Sequence, residues 1–238
     1  MKRLGIFCAG NLGKEICDIA ERINENENRW SEIFFVDNYS NNQFFYGKLV
    51  YRLEDLHRNK DSIEYIIANG EPAIRKEIYD QIKKEDGRLA TIIDPTVIVS
   101  KTAILGEGII ATPYTTISSN VCIQDNVLLQ SYICIGHDIK IGANSVISAN
   151  TSIGGRTCIG ENVFIGMGAI VKEELIIEDN VILGMGSVLY SNLSTGTVAL
   201  GNPARLTKGN EEKRVFTNTN VRSNNEEKSI GKHINSEL

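Results

Sequence analysis

Every sixth residue from Ile93 to Leu189 falls in one apolar phase, and sixteen of these seventeen positions hold Ile, Leu or Val, with Ala111 the exception. The residue after the apolar one is often glycine, as at Gly106, Gly136, Gly142, Gly154, Gly160, Gly166 and Gly184. The fifth position of each hexad is mostly β-branched or small, as at Val97, Val121, Thr151 and Val163. A period of six is not helical. It fits short extended segments joined by tight corners, because side chains alternate along a strand and a corner every six residues returns the first and fifth positions to one interior. A chain of this kind winds into a parallel β-helix, in which each coil relies on its stacked neighbours to bury its apolar edge.

With three hexads to a triangular coil, residues eighteen apart stack at about 4.8 Å. Gly108, Asn126, Asn144, Asn162 and Asn180 then form one column, and Gly and Asn are the residues that accept a left-handed corner. The neighbouring column, Glu107, Asp125, Ala143, Glu161 and Asp179, is expected to be a solvated edge. Residues 93 to 194 should make about five to six coils with Ile135, Ile141, Ile147 and Ile153 pointing inward.

The first ninety residues follow another pattern. Apolar Leu4 to Cys8 lead into Ala9-Gly10-Asn11-Leu12-Gly13, and Leu12, Ile16, Ile19, Ala20 and Ile23 then recur at helical spacing. Ile33 to Val36 and Tyr65 to Ala68 read as strands that end at Asp37-Asn38 and Asn69-Gly70; Pro72 opens a helix to about Lys83, and Leu89 to Ile93 reads as a last strand. Strands alternating with helices predict a small parallel sheet, whose ligands settle at the carboxyl ends of the strands. The Gly10–Gly13 turn sits at such an end, before a helix N-terminus. It matches part of G-x-G-x-x-G, with Cys8 in place of the first glycine, and is open to three readings: a nucleotide-diphosphate cradle, a NAD site or a plain tight turn. Asp37 or Asn38 is placed to bind a base or ribose, and Arg75 to reach a phosphate.

Three units are therefore expected: residues 1–92, a Rossmann-like sheet domain; residues 93–206, the solenoid; and residues 207–238, a polar tail without fixed structure. Cys8, Cys17, Cys122, Cys134 and Cys158 show no metal-ligand spacing, and Cys122 and Cys158 would stack two coils apart, about 10 Å, beyond disulfide reach. Free thiols, the absence of a signal-peptide pattern and the absence of a long apolar run point to a cytoplasmic protein with no membrane insertion. A net charge of −5 with 7% aromatics leaves no electrostatic footprint for nucleic acid.

The chemical signal lies in the solenoid. His137 is the only histidine between Asp94 and Arg205, and Asp138 follows it. A lone surface histidine is usually solvated, as His57 and His233 are expected to be. Here the carboxylate is placed to fix the imidazole tautomer, and the residue one coil above His137, at 137 plus 18, is Gly155. A glycine there leaves a groove and a bare N–H beside the ring, the layout of a general base next to a polarising donor. The outward column Pro113, Ser131, Ala149, Met167 and Met185 fits an apolar channel, a subunit contact or both.

These hexads, His137-Asp138, Gly155 and the closing Gly201-Asn202-Pro203-Ala204-Arg205 resemble the left-handed β-helix acyltransferases. The front domain with Gly10-Asn11-Leu12-Gly13 narrows the resemblance to the group that includes sialic acid O-acetyltransferases and N-acetyltransferases of nucleotide-linked 4-amino sugars. It spans about residues 3 to 206. It implies a left-handed solenoid, a homotrimer, and acetyl-CoA as cosubstrate without a metal. His137 would be the general base, oriented by Asp138, and the Gly155 N–H would hold the thioester carbonyl. The pantetheine would pass Met167, Gly168 and Met185 between subunits, with Pro203, Ala204 and Arg205 near the CoA nucleotide. The acceptor would lie against Gly10, Asn11, Gly13, Asp37, Asn69, Gly70 and Arg75, as a dTDP- or UDP-4-amino-4,6-dideoxyhexose destined for a bacterial surface glycan. Sugar O-acetylation and a structural or regulatory β-helix are the competing readings. A zinc hydrase on this solenoid needs three histidines about the metal, and the solenoid has one. Some members carry a second histidine nine residues after the first; here Val146 stands there.

Overall fold

The computed structural model describes residues 1–216, apart from the side chains of residues 57–61. The expectations for His57, His233 and the tail beyond residue 216 lie outside the described residues.

The first unit is a sheet in the order β3-β4-β2-β1-β5-β6. Its strands are β1 (Lys2–Phe7), β2 (Trp30–Val36), β3 (Phe44–Phe45), β4 (Lys48–Tyr51), β5 (Ile63–Ile67) and β6 (Arg88–Leu89). The central pairs β2-β1-β5 are parallel, and β3-β4 is a hairpin through Tyr46 and Gly47, both with positive φ. Helix α1 (Asn11–Glu27) buries Ile16, Ile19, Ala20 and Ile23, the apolar spacing read from the sequence, and runs one turn into the polar stretch before Asn28 caps it in the left-handed conformation. Helix α2 (Pro72–Lys84) starts on the proline.

The expected last strand divides in two. Arg88–Leu89 closes the front sheet, while Ile92–Ile93 opens the first ladder of the solenoid by pairing with Ile110–Ala111. The apolar run serves two sheets because Ala90 N–H bonds back to Tyr65 O and Ile92 N–H bonds forward to Ile109 O.

From Ile92 onward, two-residue strands stack in three parallel ladders with a register of eighteen, as in Cys122↔Lys140↔Cys158 and Cys134↔Ser152. This is the left-handed parallel β-helix. Ile135, Ile141, Ile147 and Ile153 are no more than 3% exposed and share one core with the rest of the apolar phase. The fourth hexad position turns each corner: Asn126, Asn144, Asn162 and Asn180 all have φ between 55° and 61°.

The acidic column is not merely solvated. Asp125 Oδ1 accepts the Glu107 N–H (2.9 Å) and Asp179 Oδ1 the Glu161 N–H (2.8 Å), so these carboxylates tie successive coils at the corner. Asp125 and Glu107 also dock α2, through Tyr79 Oη (2.9 Å) and Lys83 Nζ (2.6 Å).

The front unit covers one solenoid face. Ile92, Ile110, Leu128 and Val146 form a single apolar cluster with the inner side of α1. Arg22 pairs with the buried carboxylate of Asp94 at the junction. The strand Thr197–Leu200 ends the solenoid and pairs antiparallel with Arg205–Gly209. The stretch from Lys208 to Phe216 therefore departs from the expected unstructured tail: it completes a hairpin and then descends to the front unit, held by backbone hydrogen bonds that its polar composition did not reveal. All five cysteines are free.

Candidate active site

His137 occupies the third position of a hexad and Asp138 the left-handed corner, with φ 58°. That turn brings the two neighbouring side chains face to face, with Nδ1 and Oδ2 2.7 Å apart. An ionised carboxylate only accepts hydrogen bonds, so Nδ1 carries the proton and Nε2 presents its lone pair. Asp138 is held in turn by Asn120, whose Nδ2 donates to Oδ1 at 3.0 Å. This amide, then His137 and the more distant Arg156 cation, hold the Asp138 carboxyl below the usual carboxylate range. Sequence reasoning missed Asn120. It sits eighteen residues before Asp138 in the same corner column, and the stacking arithmetic that located Gly155 also reaches it.

Gly155 lies against the ring. A Cβ there would stand 2.9 Å from His137 Cε1 and Nε2. Only glycine leaves the Nε2 side of the imidazole open. Among the described residues the Gly155 N–H has no hydrogen-bond partner, and its carbonyl accepts from Glu174. His137, Asp138, Asn120 and Gly155 thus converge on one solenoid corner, with the imidazole half exposed.

Met167, Gly168 and Met185 lie on a different corner, beside Tyr114 and Tyr132, whose rings stack with centroids 5.0 Å apart. Both methionines are exposed. The Gly201–Arg205 turn closes the top of that corner: Gly201 N–H bonds Ser187 Oγ, and Ala204 N–H bonds Val188 O. Pro203 and Arg205 are exposed there, and Ala204 is partly buried against the core. A full solenoid face separates this corner from His137 within one chain, so the chain by itself does not unite the two groups.

At the front unit, the carboxyl ends of β1, β2 and β5 converge. Asp37 Oδ2 accepts the Ala9 N–H (3.0 Å), and Oδ1 accepts the N–H groups of Tyr39 (2.9 Å) and Ser40 (3.1 Å). Asn69 Oδ1 accepts the Glu71 N–H, and Nδ2 lies 3.5 Å from Cys8 Sγ. Cys8 takes a left-handed φ of 76°, the conformation for which the dinucleotide fingerprint uses glycine, and burial pushes its thiol pKa up. A cavity of ≈ 230 Å3 opens between Cys8, Asp37, Asn69 and the inner face of α2. Gly10 and Gly70 border open space. The Gly10 N–H is spent on Cys8 O, and the first helical bond runs from Lys14 N–H to Gly10 O. Among the described residues the free donors at this end are therefore the N–H groups of Asn11, Leu12 and Gly13.

One glycine has a packing role beside its N–H, and one expectation is corrected here. Gly13 is a packing glycine: a Cβ would stand 2.5 Å from Cys8 O and 3.1 Å from the Phe35 ring, so its absence lets α1 approach the sheet. Arg75 does not reach a phosphate. It is fully buried, and its guanidinium bonds Asn126 O through Nε (3.0 Å) and Nη2 (2.8 Å), Asn126 Oδ1 through Nη2 (2.7 Å), and the carbonyls of Ile67 (2.6 Å) and Asn69 (3.0 Å) through Nη1. Those five contacts use the five donors an arginine has. Arg75 is the joint between the front unit and a solenoid corner.

The comparisons agree with this architecture. Residues 3–82 match the PglD N-terminal domain, and residues 158–191 match the bacterial transferase hexapeptide (six repeats). The chain is an acyltransferase whose front unit is similar to the PglD N-terminal domain and whose solenoid is similar to the hexapeptide transferases. It is similar to the acetyltransferase domain of PglB from Neisseria gonorrhoeae, with 25% identity and a TM-score of 0.81 over 87% of this chain and 100% of that one. The same domain has been solved with acetyl coenzyme A, again at 25% identity and a TM-score of 0.81, over 87% and 99% of the two chains. PerB from Caulobacter crescentus, solved with CoA and GDP-perosamine, shares the fold at 21% identity and a TM-score of 0.79, over 87% and 98%. No curated protein matches the sequence. No helix among the described residues of this acyltransferase is long and apolar enough to cross a membrane.

Proposed function

We propose that this acyltransferase moves the acetyl group of acetyl-CoA to the amino group of a nucleotide-linked amino sugar, with His137 as general base. The observation that carries the reading is the corner itself, where an imidazole with its tautomer fixed by Asp138 lies against a glycine whose N–H has no partner among the described residues. The sugar's neutral amine attacks the thioester carbonyl, Nε2 takes the proton that the new C–N bond releases, and the Gly155 N–H donates a hydrogen bond to the carbonyl oxygen as negative charge builds on it. When the C–S bond breaks, the imidazolium returns the proton to the leaving thiolate. Acetyl-CoA as donor is supported by its presence in the gonococcal domain.

The front unit supplies the acceptor site in this reading. The Asn11–Gly13 N–H groups face a diphosphate at the helix N-terminus, and the cavity beside Asp37 and Asn69 takes the nucleoside. The GDP-sugar bound to PerB shows that this two-part fold accommodates such a ligand in that protein. Residues 1–92 would bind the acceptor and residues 93–206 carry the transfer. Because a solenoid face separates Met167 and Met185 from His137, a complete site joins the base of one subunit to the methionine corner and closing turn of another, as a homotrimer about the solenoid axis would provide. The product would serve a bacterial surface glycan.

The test is to incubate the protein with acetyl-CoA and a set of UDP-, dTDP- and GDP-linked 4-amino sugars, and to follow the gain of one acetyl group by mass spectrometry. At least one amino sugar should be acetylated at nitrogen, and its 4-hydroxy counterpart should not. Acetylation of the hydroxy sugar alone would establish the O-acetyltransferase reading instead.

A further inference from the structure

The reassignment of Arg75 leaves the acceptor cavity without a cation among the described residues. Among the described residues its lining includes two carboxylates, Asp37 and Glu77, and neither lysine nor arginine. The diphosphate of an acceptor whose nucleoside fills this cavity has backbone N–H groups of α1 to meet it but needs a counter-charge as well. One is delivered by the far end of the described chain.

After the hairpin strand Arg205–Gly209, the chain descends as a strap from Asn210 to Phe216. Asn210 Nδ2 donates to Asn180 O at the top of the solenoid (2.9 Å), and Asn210 Oδ1 accepts the Arg214 N–H (3.0 Å). The buried carboxylate of Glu71, at the start of α2 and two residues from Asn69, accepts the N–H groups of Val215 (3.0 Å) and Phe216 (2.9 Å). The Phe216 ring meets Phe164 edge-on, with centroids 5.8 Å apart. The strap is thus seated at three places, and its fixed backbone sets Arg214 over Glu77, with Nη2 to Oε1 at 3.1 Å. Among the described residues, Arg214 is the exposed cation that a hydrogen bond ties to the cavity lining.

We propose that the strap borders the acceptor site, and that Arg214 is the cation that meets the diphosphate of a nucleotide-linked acceptor, exchanging Glu77 for phosphate when the ligand binds. A guanidinium on an exposed carboxylate is weakly held, whereas a partly desolvated phosphate offers it two charge-assisted bonds. The proposal rests on the reading of the acceptor as a nucleotide-linked sugar.

The test titrates UDP, dTDP and GDP, their parent nucleosides, and CoA into the full chain and into Arg214→Ala, Arg214→Lys and Glu77→Gln by calorimetry at low salt. Arg214→Ala should weaken the preferred diphosphate about tenfold and leave its nucleoside and CoA unchanged, with Arg214→Lys recovering part of the loss. Glu77→Gln should tighten the diphosphate by freeing the guanidinium. Thermal stability without ligand should stay within about 2 °C in all three variants, since an exposed pair contributes little. Unchanged diphosphate affinity in Arg214→Ala would overturn the proposal. So would equal losses for diphosphate, nucleoside and CoA together with a lowered melting temperature, which would make the strap a brace only. If the wild type binds none of the diphosphates, the nucleotide reading of the acceptor fails first, and this proposal fails with it.

Discussion

Replacing Gly155 separates the chemistry of the corner from its stability. The backbone at 155 lies outside the left-handed region, so an alanine meets no conformational penalty there. Its Cβ would stand 2.9 Å from Cε1 and Nε2 and 3.2 Å from Cδ2 of His137, closer than carbon atoms normally approach. The half-exposed imidazole is the element that can give way, and it would swing toward solvent rather than push the coil apart. Such a swing breaks the 2.7 Å alignment with Asp138 and carries Nε2 away from the Gly155 N–H. A displacement of about 1 Å at a reacting group costs on the order of 100-fold in rate. Gly155→Ala should therefore lower kcat by roughly two orders of magnitude while the melting temperature moves by no more than about 2 °C. Gly155→Val, whose methyl groups fill the groove, should also raise KM for acetyl-CoA. The assay is thiol release from acetyl-CoA with the sugar nucleotide as acceptor, beside a thermal melt of each variant. An alanine variant with wild-type kcat would refute the placement of the reacting atoms between His137 and Gly155.

Asn120→Ala should reduce kcat several-fold with KM for acetyl-CoA unchanged, and Asp138→Asn should cost more than Asn120→Ala but less than removal of the base; steady-state kinetics orders the three. Arg75→Ala leaves the Ile67, Asn69 and Asn126 carbonyls without donors, two of them buried, and should lower stability by about 3 kcal/mol in a denaturant titration. Against desolvation, the carboxyls of Glu64, Asp94 and Asp138 are each held below their ordinary range by hydrogen bonds and nearby cations, and that of Glu178 by its two hydrogen bonds from Thr195. A depressed folded-state pKa contributes stability above the unfolded value that disappears on acidification. The melting temperature should accordingly hold from neutral pH to about pH 5 and fall as the pH is lowered further, and a melt that rises below pH 5 would contradict the assignments.

What the sequence disclosed follows from how local each interaction is. The solenoid was legible because its coil repeats one local device, an apolar position and a left-handed corner, so register, core and corner column all followed from a period of six. His137, Asp138 and Gly155 were legible for the same reason, since neighbours in space are neighbours at intervals of one or eighteen. The front unit was read only in outline. The hairpin Phe44–Tyr51 has strands of two and four residues, too short to show alternation. Arg75 was misread because a buried cation satisfied by carbonyls has no local signature: its partners lie fifty-one positions away at Asn126 as well as nearby at Ile67. The strap was misread because polar composition predicts solvation, whereas its hold on Glu71 uses backbone N–H groups that every residue but proline possesses.

The most direct measurement is the pH–rate profile of His137→Ala beside that of the wild type, on an amino-sugar nucleotide that the wild type acetylates. General-base catalysis is worth about 10²–10⁴-fold, so kcat should fall by that factor while acetyl-CoA affinity holds, and the rise in rate as the imidazole loses its proton should vanish from the alanine profile. An alanine variant within a few-fold of wild type that keeps the rising limb would show that another group takes the proton and that His137 only positions the sugar.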